Sequence, residues 1–459
     1  MKKHLIIGVL VLCCVPMAFA TIVTNANQSA LYFRLLSRNA STDIDAVYYN
    51  PAGLTRLKDG FHIGLHNQTV FQEKRVINEF NKLHSHTYKG SVNVPIFPDV
   101  YLVYKQGPLA LSFGFGPNSG GGTADFKAGL PSFEYQIAEL PALLSGMGIP
   151  TTAYSANIAF KGKSVYYGFQ LNASYAIDDM FSVAGGVRYI SAKNNYTGHI
   201  EAVMINPNFP AYGLTGQMVS APAVFTLLGQ APYAAKTSNK YVDADQTGTG
   251  FTPILSLNVH PAEGLNISAK YEFNTKLVLT NETTKDDVNM FPNGQTNRSD
   301  IPAILSFGIE YALMPELRAM VSLNYFFDRS AQWDQRVEQD GQEVILNRAD
   351  FVNSNTFDLG IGLEYDVNKM FTVSAGYLWT RFDLSADYQS DISHEIPNST
   401  VGAGVRIRLG EKLDLDLAGI YTIYSSGSQK TIDYGPFGQW LEKYDRTNYA
   451  FAIGLGYHF

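Results

Sequence analysis

Residues 165–175 read Val-Tyr-Tyr-Gly-Phe-Gln-Leu-Asn-Ala-Ser-Tyr, with hydrophobic side chains at every odd position and mostly small or polar residues between them. The same alternation occurs in residues 317–327, in residues 413–423 and in residues 447–459, which end the chain. A period of two is typical of a β-strand that has one apolar and one polar face. Strands of soluble domains usually have about 5–6 residues, whereas these longer segments fit a tilted crossing of a bilayer. The pattern therefore predicts an all-β protein whose strands span a membrane.

The composition supports the same class. Of the 459 residues, 46% are hydrophobic and only 16% are charged, where soluble domains have about 25% charged residues. The mean hydropathy is −0.07, and beyond the N-terminus no apolar run reaches the roughly 18 residues that a spanning helix needs. A transmembrane barrel disperses its apolar surface over every second residue, which explains these values. Two soluble β domains are the alternative.

Residues 1–20 have the features of a signal peptide. Two lysines precede the apolar run Leu5 to Val15, and Ala18-Phe19-Ala20 forms a small-x-small site, so we expect cleavage after Ala20. Cys13 and Cys14 are the only cysteines, and the residues before them lack the small pair that lipoprotein processing needs. An exported chain with a net charge of −7 gives no reason to expect a nucleic-acid partner.

The remaining sequence contains about fourteen alternating segments, an even number as in bacterial outer-membrane barrels. They lie near residues 60–74, 95–105, 108–116, 164–176, 180–193, 251–260, 264–278, 301–312, 315–329, 355–367, 370–383, 399–409, 412–424 and 447–459. Short turns between them alternate with long links, as periplasmic turns alternate with outer loops in such barrels. We therefore predict a 14-stranded antiparallel transmembrane β-barrel over residues 59–459, located in the outer membrane of a Gram-negative bacterium.

Residues 21–58, here named the plug segment, do not alternate. A segment of about 38 residues is too short for an independent domain, and the lumen of a fourteen-stranded barrel is wide enough to need filling or to conduct water. The segment is therefore predicted to fold inside the barrel. Pro51 restricts the backbone of Asn50, and Gly53 permits a turn, which makes a rigid corner here.

The plug segment contains Asp43-x-x-Ala46-x-x-Tyr49-Asn50-Pro51-Ala52-Gly53-Leu54. Placed between a signal peptide and a barrel, this motif resembles the FadL family of long-chain fatty acid transporters, and residues 183–189 and 268–273 resemble family strands more loosely. The resemblance implies a monomeric fourteen-stranded barrel, a hatch that plugs it, and diffusion-driven uptake of hydrophobic molecules. It also implies that a kink in the third strand opens the wall sideways and that hatch movement lets the ligand pass. The implied hatch residues are Asn50, Pro51, Ala52 and Gly53.

The third predicted strand could hold such a break. It runs into Pro117 and then into Gly120, Gly121 and Gly122. Proline removes a donor from the strand ladder and glycines weaken pairing, so a local break in the wall is expected here. A flexible outer loop that starts at Pro117 would explain the same residues.

Two outer links carry more apolar residues than exposed loops need. We predict that they form a groove that captures a hydrophobic ligand from outside. The predicted capture residues are Phe133, Leu140, Leu143 and Leu144 in the first link, and Phe225, Leu227 and Leu228 in the second. Alternatively, the two links only cap the barrel by packing on each other.

Even-numbered strand positions are predicted to face the lumen, because the odd positions are apolar. A fatty acid carboxylate inside the lumen would favour a cation, and we predict Arg188, Lys270, Arg406 and Arg408 as candidates. The alternative is that these cations pair with the acidic residues of the same face. Tyr101, Tyr104, Trp333 and Trp379 lie near strand ends and are predicted to form interfacial girdles.

Three classes of function remain. The first is a channel for hydrophobic molecules, with long-chain fatty acids as the expected cargo and related aromatic hydrocarbons as the alternative cargo. The second is a general porin or structural barrel. The third, an outer-membrane hydrolase, is disfavoured because the sequence shows no nucleophile elbow, metal-ligand cluster or phosphate loop. We expect no enzyme activity, no cofactor and no bound metal. The terminal Phe459 resembles the signal that barrels present to their insertion machinery.

Overall fold

The computed structural model describes residues 29–339 and 342–459. Fourteen antiparallel strands form a closed barrel, which confirms the predicted fold class. The strands are β1 Gly60–Asn78, β2 Thr87–Gln106, β3 Leu109–Phe126, β4 Tyr154–Ala176, β5 Phe181–Ile205, β6 Lys240–Ala262, β7 Leu265–Glu272 continuing as Val278–Asp286, β8 Thr296–Arg298 continuing as Ile304–Met314, β9 Leu317–Phe326, β10 Val352–Asp366, β11 Phe371–Leu384, β12 Asn398–Leu409, β13 Leu413–Tyr424 and β14 Gln439–His458. The ring closes where β14 pairs with β1. The predicted signal peptide lies outside the described residues.

Short helices occupy the plug segment and the outer loops. The α-helices are α1 Ala30–Leu35, α2 Ala46–Tyr49, α3 Pro131–Ala138, α4 Leu140–Gly146, α5 Ala221–Leu227, α6 Ala231–Thr237 and α7 Arg348–Phe351. The 3-10 helices are Pro51–Arg56, Pro210–Tyr212, Asp328–Ser330, Ala386–Tyr388 and Gly435–Phe437. Short strands in the outer loops are Asn208–Phe209, Leu214–Thr215, Val219–Ser220, Gln335–Gln339, Gln342–Leu346 and Gln429–Asp433. Within the described ranges, no helix combines the length and the apolar character needed to cross a membrane.

The alternating sequence becomes the two faces of the barrel wall. On β4, Leu171 is 59% exposed on the outer face, whereas Gln170, Asn172 and Ser174 are buried inside. The exposed outer residues of the other strands are also large and apolar, as a lipid-facing surface requires. The wall therefore separates an apolar exterior from a polar lumen.

Several strands extend further at their outer ends than the sequence pattern predicts. β4 begins at Tyr154 and β5 continues to Ile205. On these extensions the outward positions carry charged residues such as Lys161 and Lys193, which are exposed. The backbone ladder continues there, but the alternation of apolar and polar residues ends because these positions no longer face lipid.

The prediction that even-numbered positions face the lumen is wrong for β2. There the odd-numbered Tyr101 and Val103 are buried in the lumen, and Leu102 and Tyr104 point outward. The register of each strand is set by its own pairing, here Gly64 opposite Tyr101. Whether odd or even positions face the lumen can therefore change from one strand to the next. Tyr101 is therefore not an interfacial aromatic.

Trp333 also departs from its predicted place at the interface. It is buried in a small cluster with Phe351 and Tyr388, outside the strand ladder. Tryptophan at the end of a predicted strand can pack under a loop as well as face the headgroups, and only the fold distinguishes the two.

Candidate functional site

The described part of the plug segment lies inside the barrel, and nearly all of its residues are buried. The hydroxyl of Ser29 accepts a hydrogen bond from the Tyr32 amide at 3.0 Å, which caps α1. The helix ends at Leu36, which adopts a left-handed conformation with φ 53°. All residues of α1 are buried, and the helix packs against β11, β12 and β13. The wall on that side therefore fixes the position of α1.

Glycines on the inner wall let the plug backbone approach closely. At five of them an added Cβ atom would overlap the backbone of the plug segment. These are Gly308 on β8, Gly360 and Gly362 on β10, Gly376 on β11 and Gly402 on β12. A side chain at any of these positions would push the plug segment away from the wall. The close packing of the plug segment against the wall, here called its seat, therefore requires glycine at these positions.

Gly376→Ala is expected to displace α1, because its Cβ would overlap the carbonyl group of Leu35. Overpacking of this kind costs about 1–3 kcal/mol, and we expect faster hydrogen exchange of the α1 amides in the folded barrel. Gly185→Ala is the matched control, since a Cβ there meets nothing within 4 Å. Equal exchange rates in the two variants would contradict the proposed seat.

Buried ion pairs connect the plug segment to the wall. The Arg34 guanidinium donates to Asp416 at 2.7 Å, to Ser374 at 3.0 Å and also to Glu364. From the wall, Arg406 donates to Asp43 at 2.6 Å. Since Arg34 is only 1% exposed, removal of both carboxylate partners would leave its charge buried and uncompensated.

The predicted corner Asn50–Gly53 contacts the opposite wall. The Asn50 amide donates to the Ser41 carbonyl at 3.0 Å and to Asn258 on β6 at 2.8 Å. The carbonyl oxygens of Pro51 and Ala52 accept hydrogen bonds from serines on β4 and β5. Serine hydroxyls that face the lumen therefore satisfy the backbone carbonyl groups of the corner.

The four predicted lumen cations do not form one set. Arg188 and Lys270 both contact Glu272 at 2.6 Å, and Lys270 also donates to the carbonyl of Tyr48. The other two lie on β12, where Arg406 pairs with Asp416 and with Asp43, and Arg408 pairs with Asp366 at 3.2 Å. None of the four lines the open cavity above the plug. The structure places them in ion pairs at the level of the plug, and their role in ligand binding stays a prediction.

A cavity of about 360 Å³ lies above the plug segment. Tyr32 and Phe33 of α1 form part of its lining, which also includes side chains from most of the barrel wall. Its apolar lining includes Val70, Val92, Phe97, Leu378, Phe382 and Ile420. The lumen is therefore open above the plug and lined by groups that can contact a hydrocarbon.

The wall beside this cavity has a gap in its backbone ladder. β2 and β3 pair at Val92–Ala124 and again at Val100–Phe115, with no pairing between these points. Gly120 and Gly122 adopt left-handed conformations with φ 82° and 104°, and the register of β3 with β4 is irregular there. The predicted Pro117, Gly120, Gly121 and Gly122 form the β3 side of this gap.

Side chains rather than backbone bonds close the gap. A Cβ on Gly122 would overlap Val94 of β2, so the two positions are in contact across the opening. The cavity is lined from both sides of the gap, by Val92 and Phe97 on β2 and by Gly120 and Gly122 on β3. The cavity therefore reaches the unpaired segment of the wall.

The predicted capture residues have different environments. Leu140, Leu144 and Phe225 are buried in one large cluster of the outer loops, with Phe133, Leu143 and Leu228 packed against it. Leu227 is exposed. The two apolar links therefore meet in a common core, and most of the predicted residues form that core rather than an open surface.

Glu134 fixes part of this loop core. Its carboxylate accepts hydrogen bonds from the Tyr88 and Tyr154 hydroxyls and from the His84 amide at 2.8 Å. Although burial opposes ionisation, these hydrogen bonds hold the pKa of Glu134 below its ordinary value. The charged carboxylate thus joins α3 to the outer ends of β2 and β4.

An outer groove of about 400 Å³ lies between the loops above the cavity. Of the predicted capture residues it contains only Phe133. Its other apolar residues come from several loops and strand ends, namely Tyr135, Phe160, Ile200, Val242, Val288, Met290, Ile392, Ile432 and Tyr434. Phe160 and Ile392 also line the cavity, so the groove and the cavity meet at these two residues.

Solved structures share this architecture. A FadL homologue of Pseudomonas aeruginosa superposes with a TM-score of 0.67 at 14% identity, covering 96% of this chain and 100% of that one. The P. putida toluene transporter TodX gives 0.60 at 14%, and the Ralstonia pickettii toluene transporter TbuX gives 0.56 at 16%, each covering 91% of this chain and 94% of the other. The chain has the fold of the FadL-type channels. No family model and no curated protein matches the sequence.

The FadL-type fold brings together residues that the sequence did not single out. The cavity is lined by Lys74 of β1 and Arg446 of β14, and the groove by residues such as Val242 and Met290. Lys74 is the last residue of the first predicted strand and Arg446 directly precedes the last one, on strands that meet only when the barrel closes. The signal that could have identified Lys74 and Arg446 is a charged residue at a lumen-facing position near the outer end of a strand.

Proposed function

We propose that this chain is an outer-membrane channel of the FadL family for the passive uptake of hydrophobic molecules, with long-chain fatty acids as its cargo. The proposed route enters the outer groove, passes Phe160 and Ile392 into the cavity, and leaves sideways between β2 and β3. The observation that carries the proposal is that one cavity reaches both the outer groove and the unpaired segment of the wall.

A sideways exit suits a hydrophobic cargo. The plug segment forms the floor of the cavity, with Tyr32 and Phe33 in its lining. A molecule that leaves between β2 and β3 passes from an apolar cavity to the hydrocarbon of the bilayer and never needs to be dissolved in water. In this mechanism Asn50 to Gly53 hold the plug against β4, β5 and β6 and act as the gate.

The general porin remains the alternative. A porin conducts water-soluble solutes along an open lumen, whereas here buried side chains of the plug segment occupy the lumen. We also propose that the protein is a monomer and that Phe459, which is exposed at the end of β14, serves as the signal to the barrel insertion machinery.

Uptake of labelled oleate tests the proposed function. A Gram-negative cell that lacks its own fatty acid transporter is expected to accumulate oleate when it expresses this chain, with no ATP needed for the step across the outer membrane. The cell with an empty vector is the control. Uptake of sugars without uptake of oleate would instead favour the porin.

A further inference from the structure

Two cations face each other on the inner wall of the cavity. Lys74 on β1 and Arg446 on β14 are direct cross-strand partners where the barrel closes, and both line the cavity. Like charges placed directly opposite destabilise a sheet. Their side-by-side placement therefore requires compensation by anions.

Only one of the two cations has a carboxylate partner. Arg446 donates to Glu395 at 3.2 Å, and its guanidinium lies 5.5 Å from the centre of the Tyr424 ring. In the parts of the chain that the structure describes, the Lys74 ammonium has no carboxylate within 4.0 Å and makes no hydrogen bond. The charged groups that act on it are Arg446, which repels it, and Glu395, which Arg446 already holds. The positive charge of Lys74 in the cavity therefore lacks a carboxylate partner.

The wall below Lys74 changes from polar to apolar with depth. The next inward pair on β1 and β14 is Gln72 with Asn448, and the pair after that is Val70 with Ala450. All four line the cavity, which ends at the aromatic residues of α1. The cavity thus has a cationic outer end and a hydrocarbon inner end, which matches an amphiphile with an anionic head.

The carboxyl groups elsewhere in the cavity favour the same orientation. Asp328 and Asp358 line it on the side of β9 and β10. Asp328 accepts a hydrogen bond from the Thr356 amide at 3.1 Å and lies 3.9 Å from Arg348. An anionic head gains no attraction from these carboxyl groups, whereas Lys74 attracts it.

We propose that the Lys74 ammonium binds the anionic head of the cargo and makes the cavity selective for carboxylates over neutral molecules of the same length. The inference rests on the proposed function. With the head at Lys74, the tail extends toward Val70, Phe97 and the gap beside Gly120. The cargo then leaves the barrel tail first, and its contact with Lys74 is the last one to break.

Ligand binding by the purified full-length barrel tests this proposal, with oleate and oleyl alcohol as probes. Lys74→Met removes the charge and keeps much of the side-chain length, so we expect oleate to bind about tenfold to a hundredfold more weakly. Oleyl alcohol should bind within about twofold of its original affinity, since it has no charge to lose. Lys74→Arg is the matched control and should retain the preference for oleate.

The outcomes separate the two proposals. Equal losses for oleate and the alcohol in Lys74→Met, or no loss for either, would overturn the role of Lys74 while leaving the channel function intact. Binding of neither probe by the original protein would contradict the proposed function itself. Retained alcohol binding also shows that the variant is folded.

Discussion

Arg34→Met is expected to release the plug segment from its seat, at a cost of about 3–5 kcal/mol. The substitution leaves Glu364 and Asp416 buried without the guanidinium that now contacts both. Because both carboxylates belong to the barrel wall and lie under the plug segment, they can be hydrated only if the plug segment moves away. We expect rapid proteolysis within residues 29–57 and stepwise ion conductance in planar bilayers, and we expect the original protein to show neither.

A triple variant provides the control for this prediction. Arg34→Met combined with Glu364→Gln and Asp416→Asn neutralises Arg34 together with both of its carboxylate partners, while Arg318 keeps Asp366 and Arg406 keeps Asp43. Joint neutral replacement of buried ion partners is often tolerated, so protease resistance should largely return. A triple variant as labile as Arg34→Met would mean that steric fit, and not charge, holds α1.

Replacing both Asn50 and Pro51 by alanine is expected to abolish most oleate uptake without unfolding the barrel. Asn50 makes hydrogen bonds to Ser41, Asn258 and Ser256, and each buried partner left unsatisfied costs about 1–3 kcal/mol. The lost hydrogen bonds are those that hold the corner Asn50–Gly53, which we propose as the gate. The measurement is the initial rate of oleate uptake, together with the heat-modifiable migration of the barrel on gels.

Asn353→Ala is the matched control, since it also removes an asparagine hydrogen bond, at 3.1 Å to Asp383, but on an exposed part of β10. It should leave uptake unchanged. Normal uptake by the Asn50 and Pro51 variant, with normal gel migration, would remove the corner from the mechanism.

Much of the barrel could be predicted because each strand carries its own signal. All fourteen predicted segments correspond to observed strands, and short turns such as that between β4 and β5 fall close to their predicted places. Lipid on one side and a polar lumen on the other impose the alternation locally. The outer extension of β4, where Lys161 faces water, was missed because that constraint ends above the membrane.

The candidate site was harder to predict because its parts are distant in the chain. The β3 side of the wall gap was visible in Pro117 and the following glycines. The β2 side carries Pro95 and Pro98, a comparable signal that the sequence prediction did not use. The predicted capture residues Leu144 and Phe225 belong to the loop core, while the groove is lined by residues from several loops. Loop packing depends on contacts between segments that are distant in the sequence. Their arrangement in space cannot be read from the local pattern of any one segment.

The sequence alone determined the kind of wall that this chain builds, since period-two alternation is a local property of each strand. Tertiary structure alone decided which inward side chains meet. Arg34 reaches Glu364 and Asp416, 330 and 382 positions away, and Lys74 meets Arg446 only because the last strand closes on the first. Ring closure and seating of the plug set these contacts, and their energies depend on burial and distance that no single strand encodes.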